Sequence, residues 1–224
     1  MKEAPGEEQF KEIASQLSCP AGEAGLRTAE NMALHNNNMI ATAIDGLDLQ
    51  KGDAVLEIGP GSGTHLEQLF ERAENLIYSG VDISELMVTE AAKNNAVLVE
   101  SGAASFYLSN GEHLDFESDA FDKIFTVNTL YFWADPVAFT REILRVLKPG
   151  GIFCLCFAPK EFMSKLPFTG YIFKLYSMEE AETILADAGF TIKGSKQHTE
   201  VVKTFSGESM ERDFIVISCT KKPN

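Results

Sequence analysis

From Asp53 onward, apolar runs of four to seven residues alternate with stretches of helical periodicity, and the alternation repeats several times. Such a pattern confines the chain to βαβ units, because two parallel strands need a crossover long enough to hold a helix. Strands are expected near 54–58, 76–81, 104–108, 122–127, 151–157, 190–197 and 212–219, with helices near 63–73, 84–97, 135–147 and 178–188. The third helix opens with Asp135 as its cap and Pro136 at its first position. The fourth is bounded by a Ser177-x-x-Glu180 capping box and by Gly189. The polar connection from His198 to Glu211 contains Gly207 and predicts an antiparallel hairpin with a long loop. The expected fold is α/β and doubly wound: a seven-stranded, mostly parallel, Rossmann-like sheet ending in an antiparallel C-terminal hairpin strand.

Two helices precede the first strand. Phe10, Ile13, Ala14 and Leu17 share one helical face and predict an amphipathic helix over 7–18. Pro20, Gly22 and Gly25 interrupt that pattern, and Thr28 is the candidate cap of a second helix of about 16 residues. Its apolar face holds Met32, Met39, Ile40, Ala43 and Ile44, and His35 lies beside a polar run, Asn36 to Asn38. Residues 1–50 therefore read as a helical cap or lid, distinct from the sheet domain over 51–224.

Charge narrows the partners. The chain holds 33 acids and 19 bases, a net charge of −14, and residues 1–100 contribute −11 of it. Phosphate backbones and anionic membranes are recognised largely through clustered cations, so neither a nucleic acid nor a membrane is an expected partner. Cys19, Cys154, Cys156 and Cys219 have no zinc-like spacing, so no metal site is expected; they read as reduced, mostly buried small hydrophobes. Cys154 and Cys156 alternate and so face one side of a strand. MKEAPGEEQF lacks a secretory pattern, and no window approaches ~18 apolar residues, which points to the cytoplasm.

The most informative segment is Val55-Leu56-Glu57-Ile58-Gly59-Pro60-Gly61-Ser62-Gly63-Thr64, a strand running into a glycine turn. Ligands of open α/β sheets bind at the carboxyl ends of the strands, where glycine lets the backbone approach closely. A dinucleotide fingerprint, G-x-G-x-x-G, would need glycine at position 64, which is Thr64. Glu57 also places a carboxylate where a pyrophosphate would be repelled and an ammonium group attracted.

E-I-G-P-G-S-G-T resembles the first motif of the class I S-adenosylmethionine-dependent methyltransferases. The resemblance implies an enzyme whose cofactor is S-adenosyl-L-methionine and whose product is S-adenosyl-L-homocysteine, with residues 51–224 as the methyltransferase domain. It implies that Glu57 and the turn Gly59, Pro60, Gly61, Ser62 and Gly63 hold the amino-acid part of the cofactor. Asp82, at the end of the second strand, would accept hydrogen bonds from both ribose hydroxyls, with Ile83 and Met87 alongside. Asn110-Gly111-Glu112 is similar to the segment that borders the adenine, with Asn110 where Asp is more usual. Phe121 to Asn128 resembles the fourth strand, placing Asn128 beside the methyl group, and Leu147-Lys148-Pro149-Gly150-Gly151 resembles the turn into the fifth. The matching motifs span about 50–157.

Because the cofactor carries its own electrophile, the resemblance demands no fixed catalytic residue. The candidates are His35 on the second helix and Tyr131 after the fourth strand; Asn128 to Tyr131 lacks both prolines of the N-P-P-Y motif of DNA-base methyltransferases. Tyr131 or Trp133 would stack on a flat or cationic acceptor. Phe168, Tyr171, Phe173 and Tyr176 are candidates for lining the acceptor site, whereas His65, His113 and His198 carry no assigned role. The expected reaction is methyl transfer to a small molecule by in-line displacement. The alternatives are an NAD-dependent oxidoreductase or a non-catalytic cofactor-binding protein of the same fold. The acceptor atom and the oligomeric state are not encoded in these motifs.

Overall fold

The computed structural model describes residues 6–203 and 209–223. Seven strands form one sheet: β1 (Ala54–Ile58), β2 (Ile77–Asp82), β3 (Ala104–Leu108), β4 (Phe121–Val127), β5 (Leu147–Phe157), β6 (Thr191–Lys203) and β7 (Ser209–Thr220). Their order is β3-β2-β1-β4-β5-β7-β6. The first five are parallel and β7 inserts antiparallel between β5 and β6. The chain reverses its winding direction between β1 and β4, so their carboxyl ends diverge into a crevice.

Alternation along the strands divides the core. Val55, Phe125, Cys154 and Cys156 pack against Met39, Ile40, Ala43 and Ile44 of α2 (Gly22–Asp45) on one face. Leu56, Ile124, Phe153 and Leu155 pack on the other, against α6 (Pro136–Val146) and α8 (Met178–Ala188). Cys154 and Cys156 are fully buried, and burial pushes the Cys154 thiol up to about 12, as expected of an inert core residue. Cys19, by contrast, is exposed.

The remaining helices are α1 (Glu7–Ser18), α3 (Leu66–Phe70), α4 (Glu85–Asn94), α5 (Ala96–Glu100) and α7 (Lys160–Met163), with short 3-10 turns at Leu130–Phe132 and Pro167–Gly170. Side chains cap three helices, two of them at the residues the sequence marks, Asp135 and Ser177. Ser84 Oγ accepts from Met87 N at 3.2 Å, Asp135 Oδ1 accepts from Ala138 N at 3.0 Å, and Ser177 forms its box with Glu180. Gly189 ends α8 at φ 107.

Two expectations are corrected. The second helix starts at Gly22, not near Thr28. Gly25 is within it and buried; a Cβ there would lie 2.8 Å from the Pro20 carbonyl carbon and 3.0 Å from Leu86. Packing of α2 against the turn before it and against α4 offsets the roughly 1 kcal/mol that glycine costs a helix. The polar His198–Glu211 connection is also mostly strand, β6 pairing with β7 from Thr191 with Thr220 to Lys203 with Ser209 across one register shift between Ile192 and Gly194. Cross-strand polar pairs hold it together, among them Thr199 with Asp213 at 2.7 Å and Glu200 with Arg212. Gly207 falls outside the described residues. No helix among the described residues is long and apolar enough to cross a membrane.

Candidate ligand cavity at the carboxyl ends of β1, β2 and β4

A cavity of about 250 Å3 opens where β1 and β4 diverge. Its floor is the β1 turn. Gly59 adopts φ 74 and its N–H donates to the Val81 carbonyl at 2.8 Å, drawing the ends of β1 and β2 together. A Cβ on Gly59 would lie 2.5 Å from Thr129 Cγ2, so the loop after β4 closes over this residue only because it has no side chain. Pro60, Gly61 and Ser62 line the cavity, and the space beside Gly61 is open. Gly63 is not part of the lining. Its absent side chain makes room for α4, since a Cβ would meet Asn95 Nδ2 at 2.9 Å and Ala91 Cβ at 3.2 Å.

Two buried carboxylates stand on adjacent strands. Glu57 is 2% exposed, and its Oε2 accepts from the Tyr78 hydroxyl at 2.6 Å and pairs with His65 Nε2 at 2.8 Å. Burial, reinforced by the Glu57 charge, holds the Tyr78 hydroxyl far above its usual pKa, so it stays a donor. No hydrogen bond from another described residue reaches Glu57 Oε1. Asp82 is 9% exposed; its Oδ1 accepts from Ser84 N at 2.9 Å and its Oδ2 from Gly61 N at 3.2 Å. Burial pushes Asp82 up to about 6, the Ser84 and Gly61 N–H groups pull the other way, and the Glu57 charge adds to the rise. A buried acid with so perturbed a pKa marks a site adapted to meet donors.

The cavity continues past Ile83, Met87, Asn110, Gly111 and Glu112, all expected at the ligand, and reaches Asn128 at the end of β4. Asn110 is turned otherwise than expected: its Oδ1 accepts from the N–H groups of Glu112 and His113, both at 2.9 Å, and so shapes the loop. Asn128 adopts φ 60, a conformation in which Asn is the usual residue after glycine. The cavity-lining side chains include Glu57, Asp82, Glu112 and His65 but no Lys or Arg among the described residues. Such walls suit a ligand with cationic and hydroxyl donors, and disfavour a pyrophosphate. The short α3, five residues long, offers little dipole for a phosphate.

Two candidates for catalysis lie elsewhere. Tyr131 is 2% exposed and absent from the cavity wall; its hydroxyl lies 2.9 Å from the Ala158 carbonyl and accepts from Ala158 N at 2.7 Å. Burial raises its pKa strongly, so it is no base at neutral pH. His35 does not line the cavity, whereas its neighbour Asn36 does. Successive helical residues are turned about 100° apart, so a one-residue difference moves a side chain from wall to flank. None of Phe168, Tyr171, Phe173 and Tyr176 lines the cavity. Phe173 instead packs on Phe132 with ring centroids 4.7 Å apart and planes tilted by 59°, and Phe132 does line the cavity together with Trp133. Thr64 of the glycine segment and Thr129 beside Asn128 also line it, and Ser109 joins the wall without having been singled out, its place beside Asn110 being the only signal the sequence carried for it. No cluster of three or more His, Cys, Asp or Glu side chains suited to a metal occurs among the described residues.

The profile of the family described as "Methyltransferase domain" matches residues 56–155. An uncharacterised methyltransferase of Bacillus subtilis, YdaC, is 29% identical over 130 residues, 58% of this chain and 70% of that protein. The matches span 60% and 31% of the next two curated relatives. Among solved structures, the methyltransferase of a Haloferax volcanii complex with the Trm112 methyltransferase activator superposes with a TM-score of 0.75 at 20% identity, over 88% of this chain and 93% of that one. An S-adenosylmethionine-dependent methyltransferase from Aquifex aeolicus gives 0.62 at 22% identity, over 94% and 98%. At these identities the structures speak for the fold.

Proposed function

Because the chain belongs to the class I S-adenosylmethionine-dependent methyltransferases, we propose that it transfers a methyl group from S-adenosylmethionine to a small-molecule acceptor. The observation that carries the cofactor assignment is the pair of buried carboxylates, Glu57 and Asp82, on adjacent strands beside a glycine-rich turn, in a cavity that no described Lys or Arg lines.

In this reading Glu57 Oε1, left open by the Tyr78 and His65 bonds to Oε2, accepts from the ammonium group of the cofactor. Pro60, Gly61 and Ser62 cradle the amino-acid portion, and Gly59 sets the turn. Asp82 accepts from the ribose hydroxyls, with Gly61 and Ser84 holding its carboxyl in place. Ile83, Met87, Gly111 and Glu112 flank the base, and the Asn110 side chain fixes the loop that carries them. When bound, the cofactor would supply an electrophilic sulfonium methyl group for the acceptor's lone pair, with the thioether sulfur keeping the electron pair of the broken C–S bond. Asn128 stands at the end of β4 toward the acceptor side, and α1, the turn after it and α2 close the cavity through Leu17, Pro20, Met32 and Asn36. Residues 1–50 thus act as a cap and 51–224 as the cofactor-binding domain. An NAD-dependent oxidoreductase is disfavoured by Thr64, by Glu57 and by the lack of a Lys or Arg among the described lining residues.

Binding of S-adenosylhomocysteine to the wild type, and its weakening in an Asp82→Ala variant by about 1–3 kcal/mol, tests the assignment. Unchanged affinity in a folded variant removes it.

A further inference from the structure

A chain of side chains ties the C-terminal hairpin to the cavity wall. Arg212 of β7 is 8% exposed, and Glu200 of β6 holds it through Oε1, 3.0 Å from Nε and 2.6 Å from Nη2. Glu200 Oε2 in turn accepts from Asn38 Nδ2 at 3.0 Å. The guanidinium then reaches α2, where Nη2 donates to the His35 carbonyl at 2.5 Å and Nη1 donates to Asn36 Oδ1 at 3.2 Å. A guanidinium has donors only, so it dictates which end of the Asn36 amide faces it. The same end is dictated a second time. Asn128 Oδ1 lies 3.0 Å from the Tyr131 hydroxyl and 3.3 Å from Ala158 N, whose one hydrogen is shared with that hydroxyl at 2.7 Å, and this arrangement presents Asn128 Nδ2 to Asn36 Oδ1 at 3.3 Å. With both neighbours requiring oxygen, the amide cannot flip. Asn36 Nδ2, which no hydrogen bond to a described residue engages, is the polar group this cavity-lining side chain keeps for an occupant.

The surroundings of Asn36 define what that occupant is. Met32, Ala33 and Ile40, one helical turn either side of Asn36, are apolar, Phe132 and Trp133 line the same cavity, and no Lys or Arg among the described residues lines it. An anionic acceptor would lose its hydration there without a compensating cation. We propose that Asn36 Nδ2 is the specificity-determining contact for the methyl acceptor, that Arg212 is the positioning residue that fixes it, and that the acceptor is an uncharged, largely apolar molecule bearing a carbonyl oxygen. This rests on the methyltransferase reading.

The test uses the full chain saturated with S-adenosylhomocysteine and two ligands of one shape, acetophenone and α-methylstyrene, which differ in a carbonyl oxygen against a methylene. Dissociation constants are measured by ligand-observed NMR. Asn36→Asp keeps an oxygen toward Arg212 and Asn128 but replaces the free donor by an acceptor. It should weaken acetophenone about five-fold or more and leave α-methylstyrene within about two-fold. Arg212→Met frees the amide to rotate and should reduce the ketone preference while S-adenosylhomocysteine still binds; a merely structural arginine would weaken all three ligands together. An unchanged ketone preference in Asn36→Asp, equal weakening of both probes, loss of S-adenosylhomocysteine binding by that variant, or no binding of either probe to the wild type would overturn the proposal. Failure of the wild type to bind S-adenosylhomocysteine, seen before any probe is added, would instead overturn the methyltransferase reading.

Discussion

Asp82→Asn separates the cost of Asp82 to the fold from its value to the ligand. Burial raises its pKa from 3.8 to about 6, so the folded state holds a proton that the unfolded chain has released. Its contribution to stability is therefore full below pH 3.8 and lost as pH rises through 6, a total on the order of 3 kcal/mol. Between pH 5 and pH 7 the wild type should lose about 1.3 kcal/mol through this group alone. The amide variant has no such titration. It offers only one oxygen for the Gly61 and Ser84 N–H groups, which costs about 1–3 kcal/mol at every pH. Urea unfolding of both proteins at pH 5, 6 and 7 gives the difference curve, and the wild type should lose ground to the variant by about 1.3 kcal/mol across that range. Ligand affinity should move oppositely. Only the carboxylate accepts from both ribose hydroxyls, so wild-type affinity for S-adenosylhomocysteine should fall about ten-fold from pH 7 to pH 5, and the variant should be weak and flat. Parallel stability curves would refute the raised pKa. A ten-fold fall retained in the variant would assign the titration to another group.

Three further substitutions test other parts of the site. Glu57→Gln removes the charge expected to hold the ammonium group; affinity for S-adenosylhomocysteine should fall about 10–100-fold by calorimetry, and an unchanged affinity would contradict the role. Gly59→Ala forces a Cβ to 2.5 Å from Thr129 Cγ2 at φ 74, so thermal melting should show destabilisation of about 1–3 kcal/mol with loss of ligand binding. A melt identical to wild type would mean that the loop after β4 yields freely. Tyr131→Phe leaves the Ala158 groups without the hydroxyl and should cost about 1–3 kcal/mol in urea. Bound S-adenosylmethionine should still transfer its methyl group, whereas abolished transfer in a folded variant would restore Tyr131 as a catalytic residue.

In the parallel half of the sheet β1, β2 and β4 were legible because each is a short apolar run closed by Gly59, Asp82 or Asn128, and α4 and α6 carry side-chain caps. β1 was located to the residue, and Asp82 closes β2 one position past the expected end. The start of α2 was not legible, since Pro20, Gly22 and Gly25 punctuate locally while the reason for helix is tertiary contact with Leu86. The hairpin was underestimated for a related reason. Glu200 and Glu211 read as loop residues in isolation and are strand residues because β6 and β7 pair across them, Glu200 with Arg212 and Val201 with Glu211. Within the site, motif spacing located the β1 turn, Asp82 and the Asn110 loop. Whether a side chain faces the cavity depends on rotation and packing, which is why Asn36 rather than His35 lines it and why Tyr131 serves the core.

The central claim is that the cavity binds the methyltransferase cofactor. A calorimetric titration of the wild type with S-adenosylhomocysteine, with NADH as control ligand on the same preparation, tests it most directly. The account predicts micromolar binding of S-adenosylhomocysteine and no heat from NADH; binding of NADH alone would contradict the reading of Glu57 and Asp82 at its root.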